Sequence, residues 1–228
     1  MDSIINQIEN IMSENQGEIF SINDFYNLGT KNTIKSALYR LNEKNHITRL
    51  LDGLYIKPKY SKVLKEYSYP DANEVAEKIA DKFSWTIAPT GDTALNYTGL
   101  STQVPNEYKY ISDGAYREYL YRDKKLVFKH TTNRNISAYS KKLSIIIQAI
   151  KALGKDNISE ENIKKLAIYS KGVKEDLKKD TLKLPFWIRE VLEKIEDNKW
   201  IQMSSKKAWH FFWINVELLC YERDRRIC

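Results

Sequence analysis

The sequence predicts an α+β protein: an N-terminal winged helix-turn-helix, then a compact α+β C-terminal domain carrying a C-terminal helical extension. Three observations lead there. Apolar residues recur at helical spacing in two stretches before Asn45 with a capped short helix between them, the period becomes extended around an Asp-Gly pair, and helical and extended stretches mix beyond Pro70. A chain of 228 residues suits two domains. The expected divisions are 1–68 for the winged helix, 69–197 for the α+β domain and 198–228 for an aromatic-rich helical tail.

Ile4, Ile5, Ile8, Ile11 and Met12 outline a first helix over 3–14, ended by Gly17. Ser21, with Asp24 three positions on, caps a short second helix through Leu28, and Gly29 stops it. Thr30 opens the third. There Ile34, Ala37, Leu38 and Leu41 share one side of the helical wheel and face inward. The opposite side shows Asn32, Ser36 and Tyr39, flanked by Lys35 and Arg40. After Asn45, Ile47–Leu51 and Leu54–Lys57 read as strands joined by Asp52-Gly53, a favoured type I′ pair in which both residues take positive φ. Three short helices followed by a hairpin is the element order of a winged helix-turn-helix.

Charge agrees with that orientation. Residues 1–29 contain five acids and no Lys or Arg, whereas residues 30–65 contain nine cations against Glu43 and Asp52. The formal net charge of +7 favours an anionic partner. A helix seated in the major groove must offer donors and acceptors to base edges, with cations reaching phosphates on either side. Lys31, Asn32, Lys35, Ser36, Tyr39 and Arg40 supply that on the third helix; Arg49, Lys57 and Lys59 extend it along and beyond the hairpin. The alternative is a solvated polar face on a winged helix used for protein contacts.

Lys57-Pro58 to Pro70 reads as a connector with a short helix at Ser61–Tyr67. Beyond it, Val75, Ala76, Ile79, Ala80 and Phe83 mark a helix, Trp85–Ala88 a strand and Asp92–Tyr97 a short helix closed by Gly99. Strands follow at Tyr108–Ile111, Tyr119–Tyr121 and Leu126–Lys129, and helices at Tyr139–Leu153, Ser159–Tyr169 and Pro185–Ile195. A second basic cluster, Arg117, Arg122, Lys124, Lys125, Lys129 and Arg134, is either a solvated sheet face or a surface for nucleic acid or an acidic protein. The tail, with three of the five tryptophans, reads as an amphipathic helix docked on the core or gripping a partner.

Several function classes are disfavoured. Pro89–Leu95 lacks the second Gly and the Lys of a phosphate loop, and Asp92 would repel phosphate. His46, His130 and His210 stand alone, without metal-ligand spacing, and no nucleophile elbow occurs. No cofactor, metal or enzymatic role is expected. Cys220 and Cys228 read as free thiols; with neither a secretory signal nor an apolar run long enough for a membrane span, the expected location is the cytoplasm.

The winged-helix stretch with "DGLYIKPKY", then "YPDANEVAEKIADKF", then "WTIAPTGDTALNYTGLSTQVPNEYKYISDG" resembles the AbiEi-type antitoxins of type IV toxin-antitoxin systems. The resemblance runs from about Ser21 to about Ile195 and is most specific from Pro89 to Gly114. It implies an antitoxin, of a class tied to phage defence, that represses its own operon by binding inverted repeats in double-stranded DNA. It also implies a cognate nucleotidyltransferase-like toxin, opposed through the C-terminal domain without a stable complex. The DNA-reading role then maps to Lys35, Ser36, Tyr39 and Arg40, while Gly91, Ala94, Leu95, Gly99 and Leu100 match an architectural signature. The competing readings are a solitary winged-helix regulator and a basic module that binds the toxin directly.

Overall fold

A computed structural model of the chain describes residues 3–132, 136 and 138–199. Arg134, His210, both cysteines and the predicted tail from residue 200 lie outside those residues. The architecture is mixed α+β, and the chain divides into two units, Met1–Pro89 with Val104–Ala138 and Thr90–Gln103 with the chain from Tyr139 onward. The boundary expected at residue 68 therefore falls inside the first unit.

The first unit begins with α1 (Ile4–Glu14). Ser3 caps it, its Oγ accepting the Asn6 amide at 3.3 Å, and Ile8 and Met12 are buried. A short strand, β1 (Ile19–Ser21), follows where the sequence suggested none. The predicted second helix is a single 3-10 turn over Ile22–Phe25, its start fixed by the Ser21 amide donating to the Asp24 carboxylate at 2.7 Å. Ile22 and Phe25 are both buried, and a three-residue period brings them onto one side. In α2 (Lys31–Glu43), Thr30 is the cap and Ile34, Ala37, Leu38 and Leu41 form the inward face, as their spacing predicts.

Strands β2 (Thr48–Leu51) and β3 (Leu54–Ile56) complete an antiparallel sheet in the order β1-β3-β2. The turn between them departs from type I′, because Gly53 takes φ +71° while Asp52 keeps an ordinary negative-φ backbone. A register shift between Arg49 and Leu51 absorbs the difference. All three residues of β3 are buried because the strand is covered on both faces. Tyr55 packs with Ile8, Phe20 and Leu38, whereas Leu54 packs with Val75, Tyr110 and Leu126. The small sheet is thus the wall between two cores.

The predicted helix at Ser61–Tyr67 is instead a hairpin of β4 (Lys59–Ser61) and β5 (Glu66–Ser68). Lys65 at φ +56° cannot continue a right-handed helix, and Tyr60 meets Tyr67 across the strands at 5.2 Å. Next, α3 (Ala72–Phe83) is held by a reciprocal cap: Asp71 Oδ1 accepts the Asn73 and Glu74 amides at 2.8 Å, and the Glu74 carboxylate accepts the Asp71 amide at 2.8 Å. Asp71→Ala is expected to cost about 1 kcal/mol, read as a lower urea midpoint of the intact chain. An unmoved midpoint would mean the cap adds nothing.

A four-stranded sheet closes the unit, β6 (Ile87–Pro89), β7 (Glu107–Ser112), β8 (Arg117–Tyr121) and β9 (Lys124–His130), in the order β6-β7-β9-β8. Only β7 and β9 run parallel. Two tyrosines tie the sheet to the start of α3, Tyr110 donating to Asn73 Oδ1 at 2.7 Å and Tyr121 to the Pro70 carbonyl at 2.8 Å. Gly114 lies flat against Trp85, where a Cβ would come within 2.1 Å of the indole.

The second unit is helical in its described residues: α4 (Asp92–Tyr97), α5 (Lys141–Leu153), α6 (Glu160–Tyr169) and α7 over residues 186–199. Every residue from Leu143 to Ile150 is buried, so α5 is the central helix of this unit. Ala94, Ile163, Leu166, Ile188 and Leu192 surround it. Gln148 Oε1 accepts the Thr90 hydroxyl at 3.2 Å, which satisfies a polar group on that buried helix.

Candidate nucleic-acid interface

The outward side of α2 carries Lys31, Asn32, Lys35, Ser36, Tyr39 and Arg40, all exposed, with Tyr39 63% accessible. Asn32, Ser36 and Arg40 line a shallow open groove of about 500 Å³ with Ser3, Ile4 and Ile5 at the start of α1. The inward leucine face fixes the rotation of the helix, so this polar side is presented as a rigid surface. The β2-β3 hairpin is pinned to the same helix, since the Arg49 amide donates to Asn42 Oδ1 at 2.9 Å.

The cations predicted along the hairpin separate in space. Arg49 reaches the turn from β2, its Nη2 2.5 Å from Asp52 Oδ1. Lys57 follows the other end of β3, where its Nζ donates to Ser13 Oγ at 2.7 Å in a part-buried position. It ties the sheet to α1. Lys59 opens the second hairpin beside Gly17 and is exposed.

The second basic cluster separates too. Lys125 pairs with Glu118 at 2.8 Å and with Glu107 at 3.7 Å, and Lys124 with Asp123 at 3.4 Å. The Lys125 bond, then that of Tyr116, holds the Glu118 carboxyl below its ordinary range. Arg122 covers the Tyr69 ring at 4.7 Å, and Lys129 is exposed on β9. Arg117 points elsewhere: its guanidinium sits 4.6 Å from the Phe83 ring centre and 5.7 Å from that of Trp85.

Beside Arg117 is a residue the sequence reading missed. Lys82, in the last turn of α3, donates from Nζ to the Asp52 carbonyl at 2.7 Å and lies 5.2 Å from the Phe83 ring centre. Burial lowers its pKa from the ordinary lysine value; Asp52 opposes the shift, and Arg117, Arg49 and Lys35 add to it. Four cations from α2, β2, α3 and β8 therefore share one field. Lys78, one turn earlier, is spent on Asp24 at 2.7 Å. Among the described residues, two of the three isolated histidines have local partners, His46 facing Glu9 at 2.7 Å and His130 Nδ1 the Gly114 carbonyl at 2.8 Å.

Among the described residues, no helix is long and apolar enough to cross a membrane. The family described as "Family of unknown function (DUF6088)" matches residues 6–178, and the chain belongs to it. No curated protein matches the sequence.

Proposed function

We propose that this member of the DUF6088 family is a winged-helix repressor of its own operon and the antitoxin of a type IV system, α2 being its DNA-reading helix. The observation that carries the reading is the exposed side of α2. It sets Asn32, Ser36 and Tyr39, able to address base edges, between Lys35 and Arg40, able to reach phosphates. The helix–strand–turn–helix–hairpin order and the β1-β3-β2 sheet support a winged helix. The resemblance of "WTIAPTGDTALNYTGL" and its surroundings to AbiEi-type antitoxins supports the pairing with a nucleotidyltransferase-like toxin.

The test is fluorescence anisotropy of the full chain with the duplex upstream of its own gene and with a shuffled duplex, from ~50 to 200 mM salt. Preference for the upstream duplex that persists at the higher salt is the expected result. Equal, salt-labile binding to both would remove the operator reading.

A second reading is favoured by the β4-β5 hairpin, whose tip exposes Val63 at 91% and Leu64 at 68% between Lys62 and Lys65. Such a tip suits an acidic protein partner, the toxin itself being the first candidate. Retention of co-expressed, untagged toxin through a high-salt wash would favour it; growth rescue without retention would favour antitoxin action without a complex.

A further inference from the structure

We infer that Lys82 and Arg117, together with Arg49, form a phosphate clamp that extends the DNA-contacting surface from α2 across the hairpin turn onto the four-stranded sheet. The inference rests on the DNA-binding reading above and assigns to that surface two residues outside the N-terminal segment.

The geometry is specific. One exposed carboxylate residue, Asp52, receives both neighbouring cations, Arg49 on its side chain at 2.5 Å and Lys82 on its carbonyl at 2.7 Å. Phe83 presents its ring to Lys82 and to Arg117 at 5.2 and 4.6 Å, and so brings the third cation to the same place. Three positive side chains thus gather about one turn, whose single negative side chain, Asp52, pairs directly with Arg49. Convergence of like charge is unfavourable without a counterion, and a polyanion supplies one from outside.

The groups are also held rather than free. Arg117 stacks on Phe83 and Trp85, which keeps its guanidinium plane oriented at small entropic cost on binding. Lys82 is half-buried over Gly53, where an added Cβ would lie 2.8 Å from its Nζ. Neither arrangement discriminates among bases, so the clamp adds affinity and register but no sequence preference. Asp52 is its counterweight: it occupies Arg49 in the free protein and opposes an incoming phosphate.

The test compares wild type, Arg117→Gln, Asp52→Asn and Lys35→Ala full-length chains by anisotropy against the upstream and shuffled duplexes over ~50 to 200 mM salt. Arg117→Gln is expected to reduce the slope of log K against log salt by about 0.9 while leaving the upstream-to-shuffled ratio unchanged. Asp52→Asn is expected to tighten binding to both duplexes, a gain that a misfolded variant cannot imitate. An unchanged slope for Arg117→Gln, with no gain for Asp52→Asn, overturns the clamp; if Lys35→Ala still flattens the slope, the α2 reading survives. A wild-type chain that binds neither duplex overturns both.

Discussion

Replacing Lys35 and Arg40 together with Ala is expected to weaken binding to the upstream duplex and to flatten its salt dependence by about 1.8 in the slope of log K against log salt, two phosphate contacts at about 0.9 each. The two residues lie five positions apart, about 140° around α2, so they bracket the Asn32–Ser36 strip and reach backbone on either side of it. Both are exposed, and Ala is the most favourable helix residue, so the unfolding midpoint should hardly move. That separates lost contact from lost fold. Asn32→Ala is the complementary change: a base-edge contact should alter the upstream-to-shuffled ratio, by roughly 1 to 3 kcal/mol at the contacted base pair, and leave the slope nearly unchanged. A double variant with the wild-type slope would take the DNA contact away from α2.

The parts legible in the sequence are those decided by short-range spacing. Ile34, Ala37, Leu38 and Leu41 announce the inward face of α2, and the opposite face follows by subtraction. The strand expected at Tyr108–Ile111 lies within β7, whose Tyr108, Tyr110 and Ser112 are buried in turn. The illegible parts depend on partners distant in the chain. Ile19–Ser21 is too short to signal a strand and exists because β3 pairs with it. Lys57 reads as one more cation on a basic hairpin, until a hydroxyl 44 positions earlier takes its Nζ. Lys82 reads as the solvated end of an amphipathic helix, and only the fold brings the Asp52 carbonyl and Arg117 to it. The β4-β5 hairpin is obscured because neither strand buries a face: all of Glu66–Ser68 is exposed, and no binary pattern remains to read.

Phe128→Ala is expected to destabilise the first unit by roughly 3 to 5 kcal/mol, the range for truncating a fully buried aromatic residue. Phe128 is 0% exposed, and its ring centre lies 5.4 Å from that of Tyr110, 5.8 Å from Trp85 and 5.9 Å from Tyr119. The rigid neighbours cannot close over the void, which places the cost toward the upper part of that range. The informative consequence is its reach. Leu54 belongs to the same core as Phe128, while the next residue, Tyr55, belongs to the core that positions α2. A loss centred on β9 therefore passes through β3 to α2, the helix proposed to read DNA. Hydrogen exchange of the Leu54 and Ile56 amides should accelerate along with those of β7 and β9, because global opening of the unit becomes more accessible. Duplex binding should fail at a lower temperature, in step with the unfolding curve, while it is unchanged where the variant remains folded. If residues 1–68 instead fold as an independent module, Leu54 and Ile56 will exchange at the wild-type rate while β9 loosens, and the shared wall at β3 will carry no coupling. The outcome also bears on the proposed clamp, which places Arg49 on β2 and Arg117 on β8: such a clamp can set DNA register only if the two sheets that hold it open and close together.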